Sequence, residues 1–201
     1  IFISKSGNTI ETVFNFFLIK KKIKKDSSIL FITEKRKNIL HRLAKELKYE
    51  IIEHKNYIGG RYSVLSESGM LPATLMNLKV SKFKNFNSII KNKKFVDNLL
   101  TNTQNLYELS KNNISNSIIL SYDSDLEDLS YWYQQLVAES LGKKGKGFMP
   151  IVSIAPKDHH SLLQLYLDGP KNKFFTILSS KNDKKFKLKY NSTLQDLKFL
   201  N

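Results

Sequence analysis

The chain opens with the residues Ile1-Phe2-Ile3-Ser4-Lys5-Ser6-Gly7-Asn8-Thr9-Ile10-Glu11-Thr12. Residues 1–3 are apolar, which predicts the end of a buried strand. The apolar residues that follow residue 9 have the spacing of one helical face: Ile10, Val13, Phe14, Phe17 and Leu18. The polar residues 4–9 are therefore expected to form a loop between a strand and the N-terminus of a helix. We call residues 4–9 the hydroxyl loop.

The position of the hydroxyl loop favours phosphate binding. The first amides of a helix have no partner inside the helix, and the helix dipole is positive at that end. Ser4, Ser6 and Thr9 can add hydroxyl donors, and Gly7 lets the backbone approach an anion closely. The alternative is an ordinary helix cap formed by Thr9. Because the loop lacks a Gly-Lys-Ser/Thr ending, it is not a nucleotide P-loop.

Composition narrows the class of protein. The formal net charge is +15, which invites a nucleic-acid interpretation, but only Arg36, Arg42 and Arg61 are arginines. Arginine is the better residue for bidentate phosphate and base recognition, so we expect no nucleic-acid partner. The sequence has no cysteine, no signal peptide and no apolar run near the ~20 residues of a membrane span. We expect a cytoplasmic protein without a membrane partner, and an internal piece of a longer polypeptide.

Apolar runs alternate with helical patterns along the chain, which predicts a doubly wound α/β fold with parallel sheets and helices on both faces. After residues 1–3, strands are predicted at residues 29–33, 49–53, 117–122, 148–155 and 174–179. After the first helix, helices are predicted at residues 39–47, 63–77, 93–110, 126–141 and 159–167. Residues 79–94 are rich in lysine and asparagine and are predicted to connect two lobes. The lysine-rich tail from Lys181 has no clear pattern.

A second motif, Gly59-Gly60-Arg61-Tyr62-Ser63, follows a predicted strand. Two glycines permit a tight turn with close approach of a ligand. Arg61 would then be held at the sheet edge where ligands bind in such folds. The alternative is a plain turn with an exposed arginine.

A third motif lies at the end of the helix predicted over residues 126–141. Its buried stripe is expected to consist of Leu126, Leu129, Tyr133, Leu136 and Val137. Gln135 and Glu139 are four residues apart and share a face, and Gly142 is a candidate C-cap. A carboxylate near the negative end of the helix dipole is unfavourable, and such conflicts often mark function. Glu139 is therefore a candidate base; the alternative is an exposed glutamate paired with Lys143.

The fourth motif is Asp158-His159-His160-Ser161, at the start of a predicted helix. Adjacent histidines point in different directions on a helix and have no cluster of carboxylates beside them, so we expect no metal site. One histidine could act as a general acid or base. The alternative is a capping role shared with Asp158.

These motifs together resemble the glucose-6-phosphate isomerase family, over nearly all of residues 1–178. The order and spacing of four strings carry the resemblance: residues 4–12, residues 59–66, Glu139-Ser140-Leu141-Gly142-Lys143, and Asp158-His159-His160-Ser161-Leu162-Leu163-Gln164. The resemblance implies two sugar-isomerase lobes, here residues 1–78 and 79–201, and a homodimer. It implies a hexose 6-phosphate substrate and no metal or cofactor.

The resemblance also implies roles for individual residues. The hydroxyl loop, with Ser4, Lys5, Ser6, Gly7, Asn8 and Thr9, would hold the phosphate. Gln135 would orient the sugar, and Glu139 would carry a proton between carbons 1 and 2. Arg61 would stabilise the enediolate, a role that typically contributes a few kcal/mol per donor. His160 would help to open the ring, and in the family it reaches the site of the other subunit.

Two departures from the family pattern bear on activity. We expect the family's N-terminal part and its C-terminal helix with the ring-opening lysine to lie outside residues 1–201. We therefore expect this piece alone to be inactive. The alternatives are an isomerase that also accepts mannose 6-phosphate, and a non-catalytic phosphosugar-binding module.

Overall fold

The computed structural model describes residues 1–24 and 26–181, and the chain divides into two compact units, Ile1–Asn112 and Asn113–Asn201. The predicted tail beyond Lys181 lies outside the described residues, and a lobe boundary at residues 78/79 stays a prediction. The strands are β1 (Phe2–Ile3), β2 (Leu30–Thr33), β3 (Glu50–Glu53), β4 (Asn116–Ser121), β5 (Met149–Ile154) and β6 (Lys173–Leu178). The helices are α1 (Ile10–Lys20), α2 (Ile39–Glu46), α3 (Glu67–Leu75), α4 (Phe86–Lys91), α5 (Lys93–Lys111), α6 (Glu127–Leu141) and α7 (Lys157–Asp168).

The first unit contains a parallel sheet in the order β1-β2-β3. Phe31 of β2 lies on one face of the sheet, where Phe16 of α1 and Leu40 and Ala44 of α2 form a fully buried cluster with it. Ile32 lies on the opposite face, because side chains alternate along a strand, and it too is fully buried. The central strand β2 is thus buried on both faces.

The second unit contains a parallel sheet in the order β5-β4-β6. The chain passes from β4 through α6 to β5, then through α7 back across β4 to β6. Because such crossovers are right-handed, this reversal puts α6 and α7 on opposite faces of the sheet. The predicted α/β fold with parallel sheets and flanking helices is confirmed.

Two predicted apolar faces are wrong in detail. In α1 the buried residue is Phe16, whereas Ile10, Phe14, Phe17 and Leu18 are exposed. The reason is that α1 is apolar on almost every side, so spacing alone could not select the face toward the sheet. In α6 the fully buried residue is Ser130, whose hydroxyl donates to the carbonyl of Leu126 at 2.8 Å. Leu129, expected in the buried stripe, is exposed.

Two predicted segments also differ from the structure. The helix predicted over residues 63–77 is a 3₁₀ helix, Gly60–Leu65, followed by α3. Ser66 separates them because its backbone is extended and its hydroxyl accepts from the amide of Ser68. The predicted connection over residues 79–94 contains a 3₁₀ helix, Val80–Asn85, and α4. The segment is rich in lysine and asparagine, a composition that predicts a connection, although Phe83, Phe86 and Ile89 have helical spacing.

Candidate functional site

The hydroxyl loop lies between β1 and α1, as predicted. The Ser4 and Thr9 hydroxyl oxygens are 2.7 Å apart, and the Gly7 amide donates to Ser4 Oγ at 3.1 Å. Ser6 Oγ accepts from the amide of Asn8 at 3.3 Å. Thr9 precedes α1 but makes no capping hydrogen bond with its side chain. Thr9 therefore occupies the N-cap position, but the side-chain capping bond that the alternative requires is absent.

Gly7 has a structural role that sequence reasoning recognised only in part. Its φ is +66°, and a Cβ atom there would lie 1.9 Å from Asn38 Oδ1. Asn38 is buried and caps α2, since its Oδ1 accepts from the amide of His41 at 2.8 Å. Its Nδ2 donates to Thr33 Oγ1 and to the carbonyl of Glu34. Only glycine fits between the loop and this cap.

A second contact links the hydroxyl loop to α2. Asn8 Oδ1 accepts from the amide of Ile39 at 3.0 Å, and the carbonyl of Gly7 accepts from the amide of Leu40 at 2.9 Å. The loop is therefore held by the first turn of α2 as well as by β1.

Lys5, predicted to bind substrate, is turned toward the protein. Its Nζ donates to the carbonyls of Asn56 at 2.9 Å and Ile58 at 2.6 Å, and it lies 3.5 Å from Glu34 Oε1. Glu34 is itself buried and also pairs with Arg36. Lys5 thus connects the hydroxyl loop to the segment that follows β3.

Arg61 lies in the first turn of the 3₁₀ helix Gly60–Leu65, and its guanidinium lies over the Tyr62 ring, 5.1 Å from the centroid. A Cβ atom at Gly60 would meet no atom within 4 Å, so protein packing does not require a glycine there. The Ser63 hydroxyl donates to the carbonyl of Gly60 at 2.6 Å and closes the turn.

In the second unit, Gln135 and Glu139 lie in the last two turns of α6, which ends at Gly142 as predicted. Gln135 Nε2 donates to Glu139 Oε1 at 2.8 Å, so the two side chains share a face. Both residues are exposed. On the same helix, burial raises the pKa of Tyr133.

His160 lies in the first turn of α7 and is exposed. The neighbouring His159 is held by Tyr122, whose hydroxyl lies 3.0 Å from His159 Nε2. The alternative of a capping role shared with Asp158 is wrong, because its Oδ2 accepts from the amide of Ile154 in β5 and not from the first turn of α7. At the end of β4, hydrogen bonds from the Ser180 hydroxyl and the Asp125 amide lower the pKa of Asp123.

A cavity of about 490 Å³ borders the hydroxyl loop at Asn8. The residues that line it are mostly of basic or polar type: Asn8, Lys37, Asn38, Ile39, His41, Arg42, Lys45 and Glu46. This lining contains neither Thr9 nor Arg61, so the cavity does not coincide with the predicted site.

Among residues 1–24 and 26–181, no group of three or more His, Asp or Glu side chains is placed to hold a metal ion. Over the same ranges, every helix is too short or too polar to cross a bilayer.

Comparison with known proteins places these features in a family. The model of the family described as phosphoglucose isomerase matches residues 1–152. The chain is 39% identical over 188 residues to the glucose-6-phosphate isomerase of Methanocaldococcus jannaschii, a match that covers 89% of this chain and 46% of the relative. It is 34% identical to the glucose-6-phosphate isomerase of Campylobacter jejuni, with 92% and 48% covered. The chain therefore spans about half the length of the curated relatives it matches.

Solved structures support the same fold. A hypothetical protein from Thermus thermophilus superposes with a TM-score of 0.81 at 22% sequence identity. The match covers 99% of this chain and 51% of that protein, so it reports on the fold alone.

Proposed function

The chain belongs to the phosphoglucose isomerase family, and from that premise we propose that the polypeptide containing it interconverts glucose 6-phosphate and fructose 6-phosphate. The structural observation that carries the proposal is the hydroxyl loop, which presents hydroxyls and amides at the N-terminus of α1. Phosphate is stabilised at such a position by unpaired amides and by the helix dipole.

The hydrogen bonds within the loop favour Thr9 as a phosphate donor. Ser4 Oγ accepts from the amide of Gly7, so its own proton is free to go to Thr9 Oγ1. Thr9 can then direct its proton outward. Ser4 is only 5% exposed whereas Thr9 is exposed, which fits a supporting role for Ser4 and a contact role for Thr9.

The reaction moves one proton between neighbouring carbons. The Glu139 carboxylate removes the proton from carbon 2 of the open-chain aldose and returns it to carbon 1. The hydroxyl proton on the oxygen of carbon 2 is released to solvent, and the oxygen of carbon 1 takes up a proton, which completes the ketose. Arg61 stabilises the negative charge of the enediolate formed between these steps. When the sugar ring opens, the bond between carbon 1 and the ring oxygen breaks and His160 donates a proton to the ring oxygen. The hydroxyl on carbon 1 loses its proton to solvent as it becomes the carbonyl. Gln135 orients the sugar, and its hydrogen bond to Glu139 holds the base in one direction.

The decisive experiment replaces the base in the complete polypeptide. Glu139→Gln keeps the size and hydrogen-bonding shape of the side chain, so we expect phosphosugar binding to persist while kcat falls by at least ~100-fold. The matched control is Glu108→Gln, because Glu108 is also an exposed glutamate in the last turn of a helix. Its ion pair with Lys111 is a surface pair of little energetic value.

Two measurements are needed: the rate of fructose 6-phosphate conversion, and uptake of solvent deuterium at carbon 2 of glucose 6-phosphate. Near-normal turnover by Glu139→Gln would refute the assignment of the base. Binding without any turnover by the unaltered polypeptide would favour a non-catalytic phosphosugar-binding module. Turnover of mannose 6-phosphate would extend the substrate range.

We further propose a homodimer in which His160 serves the active site of the other subunit. Mixing subunits that carry Glu139→Gln with subunits that carry His160→Ala then creates one site with both groups intact. We expect the refolded mixture to regain activity that neither variant has alone. A mixture as inactive as its components would contradict the exchange of His160 between subunits.

A further inference from the structure

His54 is a buried histidine that none of the four motifs contains. It follows β3 and is 1% exposed. Its Nδ1 lies 2.6 Å from Glu67 Oε1 and 3.3 Å from Ser68 Oγ, and its Nε2 lies 3.3 Å from the carbonyl of Ile58. A carbonyl oxygen only accepts, so the contact with Ile58 is a hydrogen bond when Nε2 carries the ring proton, and the contact with Glu67 is one when a proton lies between Nδ1 and the carboxylate. A buried histidine with its polar atoms engaged in this way is a rigid connection.

The carbonyl of Ile58 is the point where this connection meets the hydroxyl loop. It accepts from His54 Nε2 and also from Lys5 Nζ, at 2.6 Å. Lys5 belongs to the hydroxyl loop and donates as well to the carbonyl of Asn56. The residues just before Gly59 are therefore fixed between the hydroxyl loop on one side and His54 on the other.

Glu67 fixes the other end of the same segment. It is the first residue of α3, directly after Ser66. Between Ile58 and Glu67 the chain forms the turn that carries Arg61, and this turn is closed by hydrogen bonds from Ser63 to Gly60 and from Ser66 to Ser63. Gly69 lets α3 pack tightly on this turn, because a Cβ there would lie 2.0 Å from the carbonyl oxygen of Val64.

We propose that His54 and Glu67 are positioning residues, which clamp both ends of residues 58–67 and so hold Arg61 at a fixed distance from the hydroxyl loop. The inference rests on the proposed isomerase function, in which Arg61 stabilises charge in the transition state and the hydroxyl loop holds the phosphate. A misplacement of a catalytic group by about 1 Å can cost ~100-fold in rate, so a rigid clamp has kinetic value.

The clamp predicts a specific kinetic signature. Glu67→Ala leaves Nδ1 of His54 without its carboxylate partner. We expect kcat to fall at least ~10-fold while KM changes less than about 2-fold, because Arg61 acts on charge that develops in the transition state. Glu67→Gln offers an amide group that can donate to Nδ1 or accept from it, so it should restore most of kcat. The control is Glu53→Ala, which should leave kcat unchanged. Glu53 is an exposed residue of β3, and among the described salt bridges it pairs only with Lys55.

An Arg61→Ala background tests whether Glu67 acts through Arg61. If it does, Glu67→Ala causes no further loss of kcat when Arg61 is already absent. Multiplicative losses in the double variant would overturn the proposal. So would a normal kcat in Glu67→Ala.

Hydrogen–deuterium exchange in the complete polypeptide tests the clamp without reference to activity. We expect Glu67→Ala to speed amide exchange in residues 58–66 and to leave β4 unchanged. Unchanged exchange in residues 58–66, or equal acceleration in every element, would overturn the clamp. Lack of isomerase activity in the unaltered polypeptide would refute the proposed function instead, and the exchange result would still decide whether the clamp exists.

Discussion

The contact between Gly7 and Asn38 offers a sharp test of how the hydroxyl loop is built. Gly7 has a φ of +66°, and Gly145, in the other unit, has a φ of +71°. A Cβ atom at Gly7 would lie 1.9 Å from Asn38 Oδ1, whereas a Cβ at Gly145 would meet no atom within 4 Å. The two glycines therefore share a positive φ and differ in the space around the Cα atom.

The expected cost of each substitution follows from these contacts. A side chain in the left-handed region costs roughly 1–2 kcal/mol, and Gly145→Ala should lower the free energy of unfolding by that amount only. Gly7→Ala must also displace the Asn38 side chain. This breaks the cap bond to His41, worth about 1 kcal/mol, and weakens the bonds to Thr33 and Glu34, worth about 1 kcal/mol each. We expect a total of about 3–5 kcal/mol for Gly7→Ala.

Urea unfolding of the complete polypeptide, followed by far-ultraviolet circular dichroism, measures these differences. A double-mutant cycle with Asn38→Ala then isolates the clash. With the Asn38 side chain removed, Gly7→Ala should cost only the roughly 1–2 kcal/mol of the backbone conformation, so the coupling should be about 2 kcal/mol or more. If Gly7→Ala costs the same in both backgrounds, the clash with Asn38 is not the reason for the glycine.

Two further predictions concern the proposed reaction. Thr9→Val should raise KM for the phosphosugar more than it lowers kcat, because phosphate contacts are largely equal in ground and transition states. Steady-state kinetics measures KM and kcat separately. The control is Thr101→Val, which changes an exposed threonine of α5. An unchanged KM would count against Thr9 as a phosphate donor. Activity should persist after dialysis against a chelator, since a base and charge stabilisation suffice for proton transfer at carbon 2. Activity lost with the chelator and regained with a divalent ion would contradict this.

The order of strands and helices could be predicted because its signals are local. Strand β2 contains the apolar run Leu30-Phe31-Ile32 and strand β4 the run Ile118-Ile119-Leu120, and the turns that follow them are polar. The hydroxyl loop was found for the same reason, since a strand and a helix flank it closely in sequence. The hydrogen bond between Gln135 and Glu139 follows from helical spacing alone.

The buried faces of helices could not be predicted with the same success. Helix α1 carries apolar residues on nearly all sides, and only packing against Phe31 selects Phe16 as the buried residue. In α6 a serine is the fully buried residue, because its hydroxyl bonds to a carbonyl of its own helix and needs no partner elsewhere. Neither outcome is encoded in a periodic pattern of apolar residues.

Sequence reasoning also missed the residues that support the site. Asn38 carried a usable signal, since an asparagine directly before an apolar-periodic run is a typical N-cap. His54 carried none, because its partners Glu67 and Ile58 are set by how the chain returns after β3. Such supporting contacts depend on tertiary structure and leave no fixed spacing in the sequence.

Lys5 shows how the structure changes the meaning of a motif residue. Its position within a phosphate-type loop suggests direct contact between its ammonium group and the phosphate. An ammonium group has three donors, and those of Lys5 face two carbonyls and the buried Glu34. The Lys5 ammonium is therefore engaged within the protein, and we expect the amides, the Thr9 hydroxyl and the dipole of α1 to attract the phosphate of the proposed substrate. The contribution of Lys5 is then to hold the hydroxyl loop against the segment that leads to Arg61, the same segment that His54 and Glu67 hold from the other side.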